Sequence, residues 1–215
     1  MDFQTIDLYV ALDLFLLLLI GIGPKIALVP YLTVTDGLSS EVKGRIARKM
    51  LIIAGTTAVV LVLLGEFLTR ILHFSPGALG IAGGVILFII ATRMILGGDE
   101  DEGAKRAERS GDPMSLAAYP LAVPYLLNPA GIVVLVTFSG EVRSFTWFGL
   151  VIGLLALVLA IDVVVFRWAN QVGARMNATR MLVIEKVFGF LLAAVGVQLA
   201  LDGLHDLGVI HLTVH

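Results

Sequence analysis

Cysteine is absent from all 215 residues. Disulfides and thiol catalysis are therefore excluded, and cysteine usage gives no indication of a redox compartment. Charge is scarce too. Charged residues make up 15% and hydrophobic residues 58%, which excludes an ordinary soluble domain. The opening stretch MDFQTIDLY lacks the basic region of a secretory signal, so the first apolar segment is expected to be retained. No GxSG motif and no paired aspartates occur within the apolar segments. His73, His205, His211 and His215 lie outside those segments or in the C-terminal tail, without metal-ligand spacing or a neighbouring nucleophile. The chain is thus not expected to be an enzyme. No metal, cofactor or nucleic-acid partner is expected either.

What the chain does have is apolar length. It has room for about six membrane-spanning helices of roughly 20 residues each. The apolar runs place them near residues 8–33, 48–70, 76–97, 115–138, 145–167 and 182–203. Ser75-Pro76 reads as an N-cap followed by a first-turn proline. Ser39 with Glu41 reads as a second helix start, placed in water ahead of the membrane.

Charge sets the expected orientation. One side of a six-span arrangement collects Lys43, Arg45, Arg48, Lys49, Arg93, Lys105, Arg106, Arg109, Arg167, Arg175, Arg180 and Lys186. The other side has only Arg70 and Arg143. The positive-inside rule then puts the long loops in the cytoplasm and both termini outside.

The segment GGDEDEGAKRAERSGDP is charged, poor in apolar residues and bounded by glycine and proline. It reads as a cytoplasmic linker over 98–114, separating a three-helix unit at 1–97 from another at 115–215. Its acidic run, Asp99 to Glu102, reads as solvated surface. With three spans each, the second unit enters the membrane from the opposite side, which makes homologous halves an inverted repeat. A shift of 105 carries Pro24 onto Pro129, and a shift of 106 carries Gly83 onto Gly189 and Gly97 onto Gly203. A competing shift of 94 carries the VPYL at 29–32 onto 123–126. The first register holds across two helix pairs and is preferred. The expected fold is an all-α integral membrane protein with six transmembrane helices in two inverted three-helix repeats.

The first and fourth spans are expected to be discontinuous, at Gly23-Pro24 and Asn128-Pro129. A proline in mid-span leaves a carbonyl without its helical partner. A matched pair of such breaks is the best sequence pointer to a transporter's binding site. With opposite orientations, both half-helices would begin near mid-depth. Their N-terminal N–H groups suit a carboxylate. The carbonyls freed around 20–23 and 125–128 suit an ammonium group. The candidate substrate site is accordingly Gly23, Pro24, Lys25, Asn128, Pro129, Ala130 and Gly131. The competing reading is that each proline only kinks a packed helix and that Asn128 caps the helix after it.

Ionisable residues inside spans are costly and are functional candidates by default. Lys25, Arg93 and Asp162 stand out at a similar cytoplasm-proximal depth in their spans, with Lys25–Asp162 or Arg93–Asp162 pairs expected in gating, coupling or purely structural roles. Snorkelling to the cytoplasmic surface is the alternative for Lys25 and, above all, Arg93. Asp13 and Glu66 are expected near the outer face, in contact with water. Small residues recur at Gly80/Gly84, Gly149/Gly153 and Gly189/Ala193, a spacing that lets helices approach closely in lipid. Packing within one chain is the expectation, with a homo-oligomer as the alternative.

These residues resemble the MarC family, also described as six-span neutral amino-acid transporters of the LysE superfamily. PLAVPYLLNPAGIVVLV at 120–136 is similar to the family's PLAIPLLAGPGAI stretch. LGIAGGVILFIIATRMI at 79–95 resembles its third helix, and DGLSSEVKGRIARKM at 36–50 the basic start of its second. The first span differs, carrying GPKIALVP where the family shows DPxGNxP. Gly23 replaces the Asp, the Asn is missing, and Lys25 is a local feature. The resemblance implies an inner-membrane carrier. The expected activity is alternating-access transport of small neutral amino acids, glycine or alanine, coupled to a proton or sodium ion. The alternatives are an efflux permease for small amphipathic compounds and a non-transporting membrane scaffold.

Overall fold

The computed structural model describes residues 8–96, 112–141, 145–172 and 178–210. Residues 98–111 of the linker expected over 98–114, its acidic run included, fall outside them. All regular elements among the described residues are helical: α1 (Leu8–Gly21), α2 (Pro24–Val34), α3 (Ser40–Leu72), α4 (Pro76–Leu96), an irregular stretch Pro113–Leu126, α5 (Pro129–Glu141), α6 (Phe145–Val172) and α7 (Ala178–Asp206). Among the described residues, four helices are long and apolar enough to cross a membrane, within Ser40–Leu72, Pro76–Leu96, Phe145–Ala169 and Leu182–Asp206. The other two apolar segments are each divided, as α1 with α2 and as Pro113–Leu126 with α5.

The helix starts follow the local chemistry. Ser39 accepts a hydrogen bond from Val42 N at 3.4 Å and opens α3. Ser75 accepts from Ala78 N at 3.1 Å, with Pro76 in the first turn of α4. At the far end of α3, His73 takes the left-handed conformation with φ 54° and stops the helix.

Pro113–Leu126 departs from the helix expected over 115–138. It opens as a 3-10 turn, continues in wider turns, and contains extended backbone at Tyr119 and Val123. Pro113, Pro120 and Pro124 remove three N–H donors from fourteen residues. Both extended residues directly precede a proline, where the helical region is disfavoured. The peptide bonds Tyr119–Pro120 and Val123–Pro124 are cis.

The tightest helix pair is α4 with α7, antiparallel. Gly77 lies against Gly203, Gly84 against Gly196 and Ala91 against Gly189, at intervals of seven residues on both helices. A Cβ on Gly84 would come within 2.5 Å of the Gly196 carbonyl oxygen. Lipid gives helices no hydrophobic reason to associate, so dispersion between closely approaching backbones has to do so. The expectation that small residues pack within the chain holds here and fails on α6. Gly149 and Gly153 have nothing within 4 Å of an added Cβ and lie on an outward face.

Helix α6 turns a stripe to the core: Val151, Leu155, Val158, Asp162, Phe166 and Ala169, all buried. Its spacing of three and four is that of one helix face. The stripe packs on α1, α2 and α3. Five of its members are apolar, and Asp162 is the exception.

Candidate functional site: the crossing of the two broken helices

Both expected breaks are present. At the first, Gly23 is extended, with φ −166° and ψ 159°, and Pro24 begins α2. At the second, Leu127 is non-helical, with φ −89° and ψ 92°, and Pro129 begins α5. The two breaks lie directly on each other. Ile22 and Leu127 form an isolated antiparallel bridge. Gly23 N donates to the Leu126 carbonyl at 3.3 Å, and Asn128 N donates to the Gly21 carbonyl at 3.0 Å. Each break thus supplies one donor and one acceptor to the other.

Asn128 adds a third link. Its Nδ2 donates to the Ile20 carbonyl at 2.8 Å, while its Oδ1 accepts from Gly131 N at 3.1 Å. One side chain therefore caps α5 and satisfies a carbonyl on the opposite break. The carbonyls of Ile20, Gly21 and Leu126 are consequently engaged, contrary to the expectation that they stand free for an ammonium group. The reason is physical: a buried carbonyl without a partner costs about 1–3 kcal/mol, and the nearest donors belong to the other break.

The approach is close because both sides carry glycine. A Cβ on Gly21 would lie 2.2 Å from Gly131 Cα, and one on Gly131 would lie 2.3 Å from the Gly21 carbonyl oxygen. Gly21 was not among the sequence candidates, although the pattern IGIGP carried the signal.

The two helix starts differ. Asn128 caps α5, whereas Gly23 has no side chain to cap α2 and Pro24 has no N–H. Lys25 occupies this uncapped first turn, half-buried like Pro24. Gly23, Asn128, Pro129, Ala130 and Gly131 are buried.

Asp162 is fully buried, and neither carboxylate oxygen has a hydrogen-bond partner among the described residues. The expected pairs with Lys25 and Arg93 are therefore not formed. Arg93 points outward from α4, whose buried face carries Leu87, Ala91 and Met94, so similar depth did not bring the two side chains together. Glu66 is partly exposed, as expected, and pairs with Arg70 one turn along α3, while Gln198 lies on the surface of α7 with Asp202.

Neighbouring contacts fix the level of Asp162. Leu159 of α6 meets Gly55 of α3, while Phe166 and Arg167 share a groove with Ala47 and Arg48, so these helices run antiparallel. A tight connection reverses the chain between α2 and α3, where the Tyr31 hydroxyl donates to the Lys43 carbonyl at 2.9 Å. Helices α2 and α6 are then parallel. Phe166 meets Tyr31 edge to face, with ring centroids 5.1 Å apart. Asp162 lies one turn before Phe166, level with the first turn of α2 and beside the break.

The MarC family model, described as MarC family integral membrane protein, matches residues 8–207. The chain belongs to the MarC family. Among relatives, it is 28% identical over 193 residues to a UPF0056 membrane protein of Archaeoglobus fulgidus, covering 89% of this chain and 91% of that protein. It is 24% identical over 194 residues to the UPF0056 membrane protein YvbG of Bacillus subtilis, covering 86% and 90%. No solved structure matches the chain. Membership of the MarC family, with several apolar helices, establishes an integral membrane protein.

Asn128→Ala tests the crossing. The substitution removes the α5 cap and leaves the Ile20 carbonyl without a donor, a loss of about 2–3 kcal/mol. Thermal unfolding of the detergent-solubilised protein should show a clear fall in Tm. An unchanged Tm would mean that Asn128 does not hold the breaks together.

Proposed function

We propose that this MarC-family protein is a secondary transporter of small neutral amino acids, glycine or alanine, working by alternating access. The observation that carries the reading is the crossing itself: two broken helices meet at their breaks in the core and satisfy each other's backbone. Such a seam is a two-state element. When it parts, Ile20, Gly21 and Leu126 exchange internal donors for a substrate ammonium group. The uncapped first turn of α2, with Lys25, receives the carboxylate. Backbone contact between Gly21 and Gly131 favours a substrate with little or no side chain.

The two halves read as inverted repeats. The offset of 105 that takes Pro24 to Pro129 also takes Gly23 to Asn128 and Gly21 to Leu126. It exchanges the two backbone hydrogen bonds of the crossing with each other. Together with the charge asymmetry, this supports six spans with both termini outside; membership of the MarC family supports an inner membrane.

Asp162 supplies the proposed coupling site. A charged carboxylate alone in a membrane interior costs several kcal/mol, so a proton or sodium ion accompanies it. Arg93, exposed on α4, takes no part in this site.

The test is uptake of labelled glycine and alanine into proteoliposomes. Saturable counterflow is expected, with accumulation driven by a proton or sodium gradient. Absence of both would sink the proposal. Lys25→Ala should preserve the fold and weaken substrate affinity about 10- to 100-fold, the value of one charge-assisted bond. Unchanged affinity would remove Lys25 from the site.

A further inference from the structure

A groove of about 760 Å³ runs along the outside of the bundle between the N-terminal half of α3 and the C-terminal half of α6. Its walls are mostly apolar, formed by Ala47, Leu51 and Ile52 on one side and Leu159, Val163 and Phe166 on the other. Two arginines, Arg48 and Arg167, line its end, and no carboxylate does. Among the described residues neither guanidinium has a hydrogen bond or an ion pair. Nothing lies within 4 Å of a Cβ added to Gly44, so the mouth beside the arginines is open.

The two arginines also mark one level of the bilayer. Arg48 stands two residues before the apolar run that starts at Met50. Arg167 ends the apolar run that starts at Phe145, which at 1.5 Å per residue is about 33 Å long and matches the hydrocarbon thickness. Because α3 and α6 are antiparallel, both runs reach the interface together. The site therefore combines an apolar trough inside the hydrocarbon with two planar, unpaired cations at the headgroup plane.

We infer that this groove binds an anionic glycerophospholipid, with one acyl chain between α3 and α6 and its phosphate held by Arg48 and Arg167. Arginine suits that role because its donors match phosphate oxygens two at a time. A second copy of this chain fits less well. Its apolar face would fill the trough but leave both guanidinium groups without an anion, and Gly149 and Gly153 lie elsewhere on α6.

The experiment uses the full-length protein, delipidated in detergent and titrated with phosphatidylglycerol or phosphatidylcholine under native mass spectrometry. One phosphatidylglycerol is expected to bind at least about tenfold more tightly than phosphatidylcholine, as two charge contacts imply. Arg48→Gln with Arg167→Gln should abolish that preference. Arg45→Gln, an exposed position on α3 that does not line the groove, should retain it. Gly44→Trp fills the open mouth and should displace the lipid with both arginines intact. Equal losses in Arg45→Gln would reduce the effect to general surface charge and overturn the site. So would binding that survives the double substitution, or a dimer that Gly44→Trp dissociates.

Discussion

Gly131→Ala is expected to lower the stability of the protein by about 3 kcal/mol, the upper end of what an overpacked core costs. The added methyl would sit 2.3 Å from the Gly21 carbonyl oxygen and 2.6 Å from its carbon. These are backbone atoms, so no side chain can turn aside to make room. The same atoms belong to the residue that accepts from Asn128 N, so any retreat also strains the hydrogen bonds between the breaks. In a chain of this size the loss corresponds to a Tm fall of roughly 6–12 °C. Gly149→Ala is the control. Its Cβ meets nothing within 4 Å, and it should stay within about 0.5 kcal/mol of the parent. Gly21→Ala should resemble Gly131→Ala, and the double variant should cost less than the two singles together, because the first methyl already opens the contact. Equal Tm values for Gly131→Ala and Gly149→Ala would show that the crossing is not the close contact described.

The breaks themselves were legible in the sequence, at the right residues, because proline chemistry is local. A proline inside an apolar run takes away an N–H donor whatever surrounds it; after Gly23 and after Asn128 the helix breaks, whereas Pro30 is accommodated within α2. The starts of α3 and α4 were legible for the same reason: Ser39 and Ser75 need only their own next turn. What the sequence did not carry is direction around the helix axis and identity of partner. Depth along a span put Arg93 and Asp162 at similar heights, yet one faces outward on α4 and the other inward on α6. Spacing made Gly80/Gly84 and Gly149/Gly153 equivalent, although only the first pair meets another helix. The carbonyls around residue 20 were identified as freed, but their new donors come from a residue 108 positions away. Hydropathy also concealed the irregular backbone at Pro113–Leu126, since an extended leucine or valine is as apolar as a helical one.

Replacing Asp162 should separate stability from function by moving them in opposite directions. The carboxylate interrupts an otherwise apolar stripe and has no hydrogen-bond partner among the described residues. If its role were structural, removal would destabilise the protein, as loss of a paired buried group does. An unpartnered group behaves differently, because an apolar replacement relieves a desolvation cost of about 1–3 kcal/mol. Asp162→Leu is therefore expected to raise Tm while abolishing gradient-driven accumulation. Asp162→Asn keeps the shape and the polarity but cannot carry a proton or hold a cation as the carboxylate does. In proteoliposomes it should lose uphill uptake under every gradient yet retain counterflow, which exchanges substrate without net movement of a coupling ion. Asp162 would be structural if Asp162→Leu lowered Tm and Asp162→Asn still accumulated substrate. Loss of counterflow as well, with the fold intact, would move the carboxylate from the coupling step into substrate binding. A residue kept where it weakens the fold marks the place where the fold alone does not account for the sequence.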